Sequence, residues 1–141
     1  ICNAGAGAGP GATHGADVLI GVEIKEDEAE RAERNVRTVD RTGTARVVAG
    51  DAVEVVRQMD RPIDLLYLDA TSPDEKGKGL YFDIAEAAYE KMPEGALVLA
   101  HNSVNAAEKL TGYLEYVRNP DVFRSSVNCI VDPEGLEVTI K

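Results

Sequence analysis

A chain of 141 residues with 44 % apolar and 28 % charged residues can bury a core of its own and fits a single domain spanning 1–141. Twenty-five acidic against fifteen basic residues leave a formal charge of -10, which repels phosphate backbones, and no basic patch offsets it, so no nucleic-acid partner is expected. No stretch approaches the roughly 20 apolar residues that cross a bilayer, so no membrane partner is expected either.

The chain opens on Ile1, and nothing ahead of the first glycines has the charged and apolar regions of a signal peptide. Cys2 and Cys129 show no metal spacing and no disulfide framework, which suits a reducing compartment, with the cytoplasm as the expectation. ICNAGAGAGPGATHG (1–15) alternates glycine with alanine from Gly5 to Gly9. Such a run fits either a flexible leader or a loop that lets a ligand approach the main chain, and only the downstream elements can decide between them. His14, at its end, is read as structural or disordered.

VLIGVEI (18–24) is short, β-branched and nearly all apolar, which predicts a strand buried on both faces of a parallel sheet. In the next sixteen residues (25–40) Ala29, Ala32, Val36 and Val39 recur at helical spacing. Asp27/Arg31, Glu30/Arg34 and Glu33/Arg37 supply acid-before-base pairs four apart, so an exposed amphipathic helix is predicted. ARVVAGD (45–51) reads as a second strand, with Asp51 placed to cap the helix behind it. PIDLLYLDAT (62–71) reads as a third strand ending at Asp69, and the loop SPDEKGKG (72–79) leads to a helix over 80–92. ALVLA (96–100) is the next strand, and a helix after HNS carries Val104, Ala107, Leu110, Leu114 and Val117 on one side.

Strands alternating with helices predict a parallel α/β sheet with right-handed crossovers. FRSSVNCIV and GLEVTIK break the alternation, because the turn Asp132–Gly135 that joins them is too short for a crossover and demands an antiparallel hairpin. In open parallel sheets ligands bind beyond the carboxyl ends of the strands, and Glu23, Asp51, Asp69, His101 and Asn102 all fall there.

This order resembles class I S-adenosylmethionine-dependent methyltransferases: NAGAGAG (3–9), the acid of GVEI, GDA, LLYLDA, PEGALVLAHN, then a terminal antiparallel pair. The resemblance implies a Rossmann-like α/β fold with a mostly parallel seven-stranded sheet, a C-terminal antiparallel hairpin and a first strand truncated ahead of Asn3. It also implies a glycine loop of Asn3, Gly5, Gly7 and Gly9 under the methionine part of S-adenosylmethionine, Glu23 on the ribose hydroxyls and Asp51 beside the adenine. A carboxylate is the acceptor that a vicinal diol wants. The spacing is GxGxG, since the GxGxxG of dinucleotide oxidoreductases would place its last glycine at Pro10.

Within that family, Asp69 with His101 and Asn102 is similar to the cation site of catechol-type O-methyltransferases, where an Asp follows the fourth strand and Asp-Asn the fifth. The resemblance implies Mg or Mn held by Asp69, His101 and Asn102, polarising a hydroxyl of a small-molecule acceptor. His101 stands where that family has its second Asp, and Ser72 where it has a lysine. His101 is therefore read as a metal ligand, as a general base acting with Asp69, or as a histidine that only hydrogen-bonds at a strand end. The stretch DATSPDEKGKGLYF (69–82) is also similar to spermidine synthases, which implies an aminopropyltransferase as the alternative. A protein that keeps the fold without the chemistry is a third reading. The resemblance further implies a homodimer.

Overall fold

In the computed structural model the described residues are 18–141; the glycine loop with Asn3, Gly5, Gly7 and Gly9, and also Cys2 and His14, lie outside them. Strand β1 (Leu19–Glu23) runs parallel to β2 (Ala45–Ala49), with Leu19 opposite Ala45 and Glu23 opposite Ala49. The crossover between them is helix α1 (Glu26–Val39), whose packed face is thin: Ala29 is buried, whereas Val39 is 77 % exposed. Ion pairs line its outer face. Arg34 meets Glu30 at 3.7 Å and Arg37 meets Glu33 at 2.8 Å, as the spacing predicts, but Arg31 turns to Glu28, three residues away, instead of Asp27. Glu33 also accepts the amide of Val47, which ties the helix to β2.

A second sheet holds four strands in the order β3 (Leu65–Leu68), β4 (Leu97–His101), β6 (Leu136–Ile140), β5 (Ser125–Cys129). β3 and β4 are parallel; β6 is antiparallel to both β4 and β5, so the predicted terminal hairpin is present and inserts its second strand next to β4. Helix α2 (Ala52–Gln58) follows β2, α3 (Leu80–Tyr89) follows β3, and α4 (Thr111–Val117) follows β4.

The expected seven-stranded sheet is corrected by this arrangement: the described residues form sheets of two and four strands, and β1 is not a ladder partner of β3. The seventh strand was expected ahead of Asn3, outside the described residues, and the two sheets meet through side chains instead. Ile20 and Val22 of β1 share one apolar cluster with Val53 and Val56 of α2, Leu66 and Leu68 of β3, and Val98 and Ala100 of β4. Burying that surface, at about 25 cal/mol per Å² of apolar area, is what joins the halves.

Two helices are shorter than their periodicity predicts. α3 ends at Tyr89 and closes with tight turns, the amide of Lys91 bonding to Ala88 and that of Met92 to Tyr89. The helix predicted directly after HNS starts only at Thr111, preceded by a single 3-10 turn at Ala107–Leu110. Asn102 adopts φ 67, which a helix cannot continue, and the amides of Val104 and Asn105 bond to the carbonyl of Glu134. Val104 is consequently 41 % exposed, whereas Leu110, Leu114 and Val117 are buried as expected.

Candidate functional site

Parallel pairing sets the carboxyl ends of β1 and β2 side by side, and those of β3 and β4 side by side, and each end is followed or closed by a polar residue. Past the last ladder pair, the amide of Gly50 bonds to the carbonyl of Glu23 at 2.9 Å, which keeps the ends of β1 and β2 abreast. Glu23 then turns its carboxylate back over the chain, Oε1 accepting the amide of Lys25 at 3.0 Å. Asp51 caps α2: its Oδ1 accepts the amides of Val53 and Glu54 at 2.9 and 3.1 Å. Both cap bonds use one oxygen, so a structural role and a ligand-facing role are compatible in this residue.

Glu23, Asp51 and Asp69 line one cleft of about 490 Å³, within the usual range for small-ligand sites. Val22, Ile24, Ala52, Ala70 and Leu80 supply its apolar lining. The chemistry of the lining, apolar side chains that suit a flat base and carboxylates that suit hydroxyl donors, is compatible with the S-adenosylmethionine expected from the sequence.

Asp69 sits one residue past β3, and its Oδ1 has two partners. Lys78 Nζ lies 3.3 Å from it and His101 Nδ1 lies 3.5 Å from it. Lys78 comes from the loop after β3, which bends back through a 3-10 turn (Gly77–Gly79). The amide of Ser72 bonds to Gly77 O, and that of Lys76 to Asp74 Oδ1. The Lys78 ammonium also donates to the Tyr81 hydroxyl at 3.0 Å and lies 5.1 Å from that ring's centre. Charge concentrates here: burial, then the nearby carboxylates of Asp69 and Asp132, hold the Tyr67 phenol above its ordinary range.

His101 ends β4 behind Asp69 and does not line the cleft itself. Its Nε2 is 3.0 Å from Glu134 Oε2 and 3.7 Å from Asp132 Oδ2, both in the turn between β5 and β6. The amides of Gly135 and Glu134, followed by the charge of His101, keep the Asp132 carboxyl below its ordinary range. Asn102 is adjacent in sequence but is drawn aside, its Nδ2 donating to Asn105 Oδ1 at 3.1 Å. The structure thus brings Asp69 and His101 together and leaves Asn102 apart.

No cluster of three or more His, Cys, Asp or Glu suited to a metal occurs among the described residues. The donors expected for a cation do not fit one as they stand: the ammonium of Lys78 already lies on Asp69, and the amide of Asn102 is turned away. Lys78, Asp132 and Glu134 were not reached by sequence reasoning. The only signal for Lys78 was its place in a loop with two glycines, and for the acids their place in the hairpin turn.

A family model described as a methyltransferase domain matches residues 4–103. The chain belongs to the methyltransferase domain family. No curated protein matches this methyltransferase chain in sequence. Solved structures do resemble it. The O-methyltransferase from Bacillus cereus in complex with SAH superposes with a TM-score of 0.66 at 17 % identity, covering 89 % of this chain and 63 % of that one. A methyltransferase from Geobacter sulfurreducens superposes with 0.68 at 17 % identity, covering 89 % and 58 %. At such identities the likeness is one of fold, and the chain spans about three fifths of these neighbours. Among the described residues no helix is long and apolar enough to cross a membrane.

Proposed function

We propose that this methyltransferase domain binds S-adenosylmethionine in the cleft between Glu23 and Asp69 and methylates a hydroxyl oxygen of a small molecule. The observation that carries the reading is the convergence of Glu23, Asp51 and Asp69 on one cleft at the strand ends. The O-methyltransferase from Bacillus cereus that shares the fold lends support to oxygen as the accepting atom.

When bound, the cofactor supplies a methyl group on a positively charged sulfur. Glu23 accepts the ribose hydroxyls, and the apolar walls exclude water from the base. An acceptor hydroxyl held at the Asp69 edge of the cleft would give its proton to Nδ1 of His101, 3.5 Å from that carboxylate, as its oxygen takes the methyl group and the S–methyl bond breaks, the sulfur leaving with that bonding pair as a neutral thioether. The resulting imidazolium lies between the carboxylates of Asp69 and Glu134, which stabilise its charge. Base assistance is favoured over cation assistance because Lys78 compensates Asp69. The same pairing weighs against an aminopropyltransferase, in which that acid would receive an amine.

The test is methyl transfer from labelled S-adenosylmethionine to a panel of catechols, other phenols and putrescine, the last offered with the decarboxylated cofactor. Methylation of a phenol, reduced about 100-fold or more in His101→Ala, is the expected result. Turnover of putrescine alone, or full activity in His101→Ala, overturns the reading.

A further inference from the structure

The turn that closes the β5–β6 hairpin is fastened to the segment leaving β4. Its first acid, Asp132, accepts the amides of Glu134 and Gly135 at 2.9 and 2.8 Å through Oδ1. The carbonyl of Glu134 accepts the amide of Val104 at 2.8 Å, and that of Gly135 accepts Ser103 at 3.4 Å. Gly135 stands at φ 75, and a Cβ there would lie 2.5 Å from Val104 Cγ2 and 2.9 Å from Ser103 Oγ. Only glycine permits both this backbone and this approach. The turn is therefore seated against β4 at His101, whose ladder partner is Leu136, the residue after Gly135.

Three carboxylates and one ammonium face or adjoin the ring. Asp69 is on the Nδ1 side, with Lys78 on the same oxygen; Asp132 and Glu134 are on the Nε2 side. A neutral imidazole has one N–H to give, so these acceptors compete. Asp132 at 3.7 Å is beyond hydrogen-bond reach and commits its other oxygen to the turn. Asp69 at 3.5 Å is long and shares its oxygen with Lys78. Glu134, with Oε2 3.0 Å from Nε2, is the nearest of the three carboxylates.

We infer that Glu134 is the positioning residue for His101: its carboxylate draws the ring N–H to Nε2 and leaves the Nδ1 lone pair facing Asp69. The inference rests on, and deepens, the acceptor-side role proposed for His101. A ring that gave its proton to Asp69 would carry hydrogen on the Asp69 side and could accept nothing there. The hairpin turn thus belongs to the active site without touching the acceptor.

Ring-nitrogen NMR of the full chain at alkaline pH, where the imidazole is neutral, tests this directly, with His101→Asn separating its signals from those of His14. The expected wild-type form carries hydrogen on Nε2. Glu134→Ala shifts hydrogen to Nδ1, while Glu134→Gln, whose amide oxygen still accepts, keeps the wild-type form. A wild-type ring already protonated on Nδ1, or a tautomer unchanged in Glu134→Ala, overturns the inference. The spectrum needs neither cofactor nor acceptor, so a failure to bind S-adenosylhomocysteine or to methylate any acceptor strikes the function while leaving this result intact. In the transfer assay Glu134→Ala should lower kcat by about tenfold or more at unchanged KM for the methyl donor, and an unaltered kcat counts against the positioning role alone.

Discussion

Arg118 and Glu137 form a two-pronged ion pair, Nε to Oε1 at 2.8 Å and Nη2 to Oε2 at 2.7 Å, around a carboxylate with no solvent exposure. Ser126 and Asn128 complete its shell at 2.7 and 3.1 Å, so strands β5 and β6 and the end of α4 are joined by one buried charge. Arg118→Met strands that carboxylate and should cost about 3 kcal/mol, read by urea denaturation. Combining it with Glu137→Leu should recover most of the loss, because no buried charge is then stranded and Ser126 and Asn128 keep Thr139 and Ser103 as partners. Equal stability of Arg118→Met and the wild type contradicts this.

Acid should weaken the fold through carboxyls whose folded-state pKa lies below the unfolded one. Burial pushes Glu137 up, but the hydrogen bonds of Arg118 and Ser126 outweigh it and leave it low. Asp40 is held at about 2 by the hydroxyl of Thr42 and the amides of Ala45 and Thr42. A depressed carboxyl stabilises the fold above its unfolded pKa and loses that contribution as pH falls through the folded value. For Asp40 the window runs from about 4 down to about 2. Stability measured across that window should fall less steeply in Asp40→Asn than in the wild type.

Proton removal without a divalent cation should survive chelation. Turnover in excess EDTA is expected to stay within about twofold of the untreated rate, since deprotonation is assigned to a side chain. Lys78→Met leaves the Asp69 charge uncompensated and should lower turnover, and added Mg²⁺ or Mn²⁺ should not restore it. Loss of activity in EDTA that returns with either ion contradicts the assignment.

The parallel strands and the acids at their ends were legible because a short apolar run and the polar residue that closes it are both local signals. VLIGVE, ARVVAGD and LLYLD each carry one, and Glu23, Asp51 and Asp69 come with them. Lys78 was not legible, because its approach to Asp69 depends on how a loop with two glycines folds back. Glu134 was hidden for a different reason: its place beside His101 depends on the β4–β6 register, on Asn102 at φ 67 and on Gly135 at φ 75, none of which has a periodic signature. The helix after HNS begins later than its periodicity suggests on the same account, since the amides of Val104 and Asn105 bond to Glu134 across the fold instead of along the chain.

The most direct test of the central claim is a calorimetric titration of the chain with S-adenosylhomocysteine, repeated on Glu23→Ala. Micromolar binding weakened about 10- to 100-fold in the variant is the result predicted by a charge-assisted grip on the ribose hydroxyls. Undiminished binding in Glu23→Ala, or no binding by the folded wild type, would contradict the placement of the cofactor in the cleft between Glu23 and Asp69.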